Sequence, residues 1–138
     1  MYDSSNDSME VAERQYVYTA VGAGLLGVAM LLAPNLVVAY LDMPIQDPVV
    51  FGVVGSAYVA FAIASILGLR FPLRFVPVLI LQLIYKSVWL VTVFLPMFIS
   101  GTPPAYAWVF AAIFVSYVVG DCIAIPFRHL LAQESMKA

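Results

Sequence analysis

Lys86 stands in the middle of an apolar run, FVPVLILQLIYKSVWLVTVFLPMFI. A protonated ammonium there costs several kcal/mol of lost hydration unless it is paired or wet. Asp121, in VVGDCIAIPF, is the one acid in the apolar part of the chain. At about 100° per residue, Gln82, Tyr85, Lys86, Trp89 and Val93 fall on one helix side, with Ile80, Ile84, Val91 and Leu95 opposite. Tyr106, Phe110, Phe114, Tyr117, Asp121 and Ile125 likewise align, opposite Ala112, Val115, Val119 and Ile123. Counted from the helix ends that they share, Lys86 and Asp121 differ in depth by about 6 Å, within reach of a lysine stem. The expected arrangement is a Lys86–Asp121 ion pair, with Gln82, Tyr85 and Tyr117 supplying the hydrogen bonds a buried pair requires. Such a pair either staples two helices or forms the polar end of a cavity; the third reading is that the two residues do not pair and each snorkels independently toward the interface. In a cavity, Lys86 would anchor an anionic headgroup or carboxylate, or act as a switchable charge in a proton-linked cycle.

Other chemistries lack their residues. His129 is the only histidine, so a two-histidine haem site within one chain is excluded, and metal ligation by one chain has little to build on. Cys122 is the only cysteine, which removes an intrachain disulfide and a cysteine metal framework. No Ser/His/Asp or Cys/His set occurs at matching depth, and no second acid accompanies Asp121 in the apolar segments. The glycines follow no phosphate-cradling order. Asp42 and Asp47 share a short loop and read as solvated. No metal or cofactor is expected, and no basic cluster offers a surface for nucleic acid.

The elements that position these residues follow from composition. Of 138 residues, 64% are hydrophobic and 10% charged, with a mean hydropathy of +1.00 and a net charge of -2. Such a chain is built for lipid. A helix crossing a hydrocarbon core of about 30 Å needs about 20 residues. Four spans are predicted, over residues 15–41, 49–69, 75–99 and 105–127, with Pro34 and Asn35 distorting the far end of the first. An acidic tail, residues 1–14, precedes them, with Ser4, Ser5, Asn6, Asp7 and Ser8 expected to be flexible. Residues 128–138 form a second tail. Loops this short make consecutive helices antiparallel neighbours, so the expected fold is an all-α, up-and-down four-helix membrane bundle.

Orientation follows from the basic residues. Arg14, Arg70, Arg74, Arg128 and Lys137 all fall on the side shared by the termini and the middle loop, and the two other loops have none. The positive-inside rule then puts both termini in the cytoplasm and Asp42 and Asp47 outside. Tyr16 and Tyr18 inside, with Tyr40, Tyr106 and Trp108 outside, read as interfacial aromatic belts.

In the second span, Gly52, Ser56, Ala60, Ala64 and Gly68 recur every four residues, a pattern that lets helix backbones approach closely. The stripe drifts about 40° per step and is expected to touch more than one neighbour. Ala20, Gly24 and Gly27 of the first span offer a partner face.

GAGLLGVAMLLAP in the first span, VFGVVGSAYVAFAIASILGLR in the second and the basic turn into the third resemble the DoxX-like group of small four-helix membrane proteins. The resemblance implies a four-helix bundle and an accessory role in a membrane redox system. No family catalytic residue carries over to this chain. The leading expectation is a non-enzymatic accessory or assembly subunit of the inner membrane, embedded in the bilayer and packed against itself or a larger complex. Its Lys86/Asp121 site would lock the bundle or bind a lipid or quinone-like headgroup. A small oligomeric transporter or channel is one alternative. The other is an intramembrane enzyme with Asp121 as acid or base.

Overall fold

The computed structural model describes residues 4–127, and these are helical throughout apart from short connections. Four helical stretches are long and apolar enough to cross a membrane, as expected of a membrane protein. Helix α1 spans Ser4–Leu32, α2 Pro34–Tyr40, α3 Pro48–Arg70, α4 Val76–Trp89, α5 Leu95–Ser100 and α6 Ala105–Ala124. A single π-helical turn, Leu90–Phe94, joins α4 to α5, so these three make one continuous third span.

Prolines set most of the boundaries. Ala33 precedes Pro34 and leaves the helical region at φ -140° and ψ 55°, which breaks the first span into α1 and α2. Asp47 caps α3, its Oδ1 accepting from the amides of Val49 (3.0 Å) and Val50 (2.9 Å), with Pro48 in the first turn. Ile125 precedes Pro126 and is extended at φ -77° and ψ 119°, so α6 stops at Ala124, short of the expected end at residue 127.

Helix α1 differs from expectation at its start. It begins at Ser4, so the segment expected to be flexible is helical and continuous with the span. Farther along the helix, Ala12 and Tyr16 join Val76, Leu79, Ala124 and Ile125 in a buried cluster at this end of the molecule. Ile80, expected on the opposite face of the third span, packs against the same cluster. Tyr16 is not an interfacial anchor. It is fully buried, its ring lies over Gly68, and its hydroxyl donates to the Pro72 carbonyl at 2.8 Å.

Helix α1 packs along α3, and α6 packs on both α1 and α4. The α1–α3 contact rests on glycine. A Cβ on Gly27 would lie 2.8 Å from the Gly55 carbonyl oxygen and 2.9 Å from the Val59 nitrogen, and one on Gly24 would lie 3.2 Å from the Ala62 Cβ. The partner face expected on the first span is thus in place at Gly24 and Gly27. On α3, however, the buried face is Phe51, Gly55, Ala62, Ser65 and Gly68. Of the small-residue stripe, Gly68 belongs to it, Ala64 and Gly52 are half-buried, and Ser56 and Ala60 are exposed. Nothing approaches within 4 Å of a Cβ on Gly52. A strict four-residue repeat rotates off a contact line that advances by 3.6 residues per turn, whereas the real face, with steps of four, seven, three and three residues, stays close to that line.

The π turn shifts the third span's register. Pro96 has no N–H and would crowd the Thr92 carbonyl in a regular helix. The chain widens there instead, and the Leu95 amide bonds five residues back to the Leu90 carbonyl. Val93, expected to face inward, is exposed in consequence, and Phe94 takes its place against Trp89 and Trp108, with ring centroids 6.0 and 5.1 Å apart.

Candidate functional site

The residues singled out on α4 and α6 converge with two from α1 that sequence reasoning missed. Gln82, Lys86 and Asp121 are 1%, 3% and 0% exposed, and Gln15 and Thr19 are buried beside them. The wheel for α6 holds along its length. Phe114, Tyr117 and Asp121 are buried, and Ala112, Val115, Val119 and Ile123 are exposed.

Lys86 and Asp121 make no direct ion pair; among the described residues the salt bridge is the exposed Arg14–Glu10 contact at 2.8 Å. Amides are interposed instead. The Lys86 Nζ donates to Gln82 Oε1 at 2.6 Å, one turn back along α4. Gln82 Nε2 donates to the Thr19 hydroxyl at 3.3 Å, and that hydroxyl donates to the Gln15 carbonyl at 2.9 Å. The side-chain amide of Gln15 crosses to α6, donating to Asp121 Oδ1 at 3.0 Å and to the Tyr117 carbonyl at 3.3 Å. Gly120 makes the crossing possible, because a Cβ there would collide with the Gln15 amide. The result is a connected polar core across three helices, with the ammonium at one end and the carboxylate at the other.

The ammonium is held by aromatic faces as well. Nζ lies 3.6 Å from the Tyr117 ring centroid and 5.0 Å from that of Tyr85, inside the range of cation–π attraction. Tyr117 is pinned in turn. Its hydroxyl donates to the Tyr18 carbonyl at 3.2 Å, its ring stacks on Tyr18 at 4.4 Å, and the absence of a Cβ on Gly22 leaves room for its oxygen. Trp89 packs on Phe114 and Phe94, a turn beyond the ammonium.

A cavity of about 350 Å³ opens beside Lys86. Lys86 and Gln82 provide its polar end, while Tyr58, Phe61, Tyr85, Phe110, Phe114 and Tyr117 form aromatic walls. Leu25 and Ile113 also line it and are 70% and 36% exposed, so its mouth lies between α1 and α6 on the outer surface of the helices. Two buried atoms among the described residues have no hydrogen-bond partner, Asp121 Oδ2 and Ser65 Oγ.

The one signal that could have marked the α1 contribution is spacing alone: Gln15, Thr19 and Gly22 recur at four and three residues, as on a single helix face. The described residues contain no cluster of three or more metal-ligating side chains. Arg128, His129 and Lys137 lie outside the described residues. Compared with known protein families, curated proteins and solved structures, the chain matches none of them.

Proposed function

We propose that this chain is a non-enzymatic accessory subunit of the cell's inner membrane that holds a lipid-soluble molecule by its polar head at Lys86. One observation carries the reading: a buried ammonium faces a 350 Å³ aromatic cavity with a single hydrogen bond of its own, to Gln82. An ammonium has three N–H donors, and leaving donors unmet in hydrocarbon is costly. A ligand oxygen meets that need. The cavity's size lies at the lower end of small-molecule sites, and its lining matches their usual composition of apolar walls with few polar groups.

The bundle around it is read as up-and-down with both termini cytoplasmic. Contacts of Gly27 with Gly55, Gly24 with Ala62 and Tyr16 with Gly68 run in opposite chain directions, which supports the antiparallel order. Ser56 and Ala60 are exposed with Gly52 beside them, a surface suited to a helix of a second copy or of a larger complex. The resemblance to the DoxX-like group points toward the same accessory role.

Native mass spectrometry from mild detergent tests the proposal. The chain is expected to retain a small molecule or a partner protein, and Lys86→Met to lose the small molecule. A protein that carries neither, yet moves a solute across vesicle membranes and loses that flux in Lys86→Met, is a transporter and overturns the reading.

A further inference from the structure

The molecule that fits this cavity is a narrower class than "lipid", and we infer that it is a neutral, flat-ringed carbonyl compound that enters from the bilayer between α1 and α6. The inference rests on the proposed ligand site at Lys86. Three features of the cavity point the same way.

The first is depth. Lys86 follows Val76, the first residue of α4, by ten positions, which at 1.5 Å per residue is about 15 Å and half of a hydrocarbon core of about 30 Å. Phospholipid headgroups and free carboxylates stay at the interface, where water solvates them. A ligand whose polar atom reaches the midplane is one that dissolves there whole.

The second is charge. Lys86 and Asp121 are the buried ionisable pair of opposite sign among the described residues, and their formal charges sum to zero whichever of them holds the proton. An anionic ligand would leave one negative charge uncompensated in a low-dielectric interior, a large penalty. A carbonyl oxygen accepts from the ammonium without that penalty. Gln82 Oε1, itself a neutral carbonyl at 2.6 Å from Nζ, shows that the ammonium takes such a partner.

The third is shape. Tyr85 is flanked by Phe61 in a stacked arrangement at 5.5 Å and by Phe114 edge-on at 5.8 Å, and all three line the cavity. Ring faces and edges set at these angles suit a planar ring, which can continue the stacking pattern. A volume of about 350 Å³ leaves space for one substituted ring system. The exposed Leu25 and Ile113 at the mouth put the access route on the lipid-facing surface.

Fluorescence quenching of Trp89 tests this. The protein has two tryptophans, so Trp108→Phe leaves Trp89 as the reporter, packed on the cavity-lining Phe114. In detergent-purified protein, menadione is expected to quench Trp89 saturably, and oleate is expected not to compete. Lys86→Gln, which keeps an N–H donor and removes the charge, should bind menadione within about threefold of the parent, and Lys86→Met should bind it about tenfold or more weakly. Oleate that displaces menadione, or binds with the higher affinity, identifies an anion site; the inference then fails while the ligand reading stands. That competition is measured with Lys86 intact, so it holds even if a variant fails to fold. No saturable quenching by menadione and no binding of oleate overturns both.

Discussion

At the scale of single residues, the polar core depends on Gly120 as much as on the groups that carry charge. Gln15 reaches Asp121 across the space that a Gly120 side chain would fill. Gly120→Ala should push the amide away and leave both Asp121 oxygens unpartnered, costing about 1–3 kcal/mol. The same substitution made on Gln15→Ala should cost much less, because the contact is already gone. A double-mutant cycle on thermal unfolding in detergent measures the difference; equal costs in the two backgrounds would mean the crossing contributes nothing. Lys86 and Asp121 were legible in the sequence because a charge contrasts with an apolar background. Gln15 was not, since a glutamine at the polar end of a span attracts no notice, and Thr19 is apolar enough to pass as filler. The direct Lys86–Asp121 pair was expected because depth and facing were known for α4 and α6 alone. The α1 side chains that come between them are set by tertiary packing, which a helical wheel does not contain.

At the scale of elements, two features of the helices lead to opposite outcomes for similar substitutions. Gly27 and Gly52 are both small residues of apolar helices, yet only Gly27 abuts backbone, through the Gly55 carbonyl and the Val59 nitrogen. Backbone cannot step aside as a flexible side chain can, so Gly27→Ala should separate α1 from α3 and lower the unfolding temperature in detergent by several degrees. Gly52→Ala should leave it unchanged within the isolated chain, since its Cβ meets open space. A drop at Gly52 seen only in the native membrane would point to a partner helix on that face. The third span shows where periodicity stops being readable. Inward-facing positions follow the wheel from Gln82 through Lys86, and then the π turn before Pro96 adds a residue and moves the inward position from Val93 to Phe94. A proline within a helix announces a disturbance, but whether the helix kinks, breaks or widens depends on its neighbours, here Trp89 and Trp108.

At the scale of the whole molecule, hydropathy placed four apolar stretches where the structure has four long helices, because the cost of an unsatisfied backbone in lipid leaves a chain few other choices. Sidedness depends on a different force, the distribution of arginine. Tyr16 donates to the Pro72 carbonyl at 2.8 Å, so the end of the molecule near Arg14 is also the end that holds the loop between Arg70 and Arg74. Three arginines therefore cluster at one pole of the described residues. The loop that begins with Asp42, at φ 52°, and ends with the cap residue Asp47 carries acids and no base. The positive-inside rule counts basic residues near the ends of spans, and on that count we propose that the arginine pole faces the cytoplasm. Single cysteines in a Cys122→Ser background read the outcome in intact cells. A cysteine replacing Asp42 should react with a membrane-impermeant maleimide at once, and one replacing Phe71 only after the membrane is opened. The reverse pattern would put the arginines outside, and the ligand proposed for Lys86 would then enter a bundle of inverted orientation. Its lateral mouth between α1 and α6 would be unaffected, because an opening onto lipid serves either orientation.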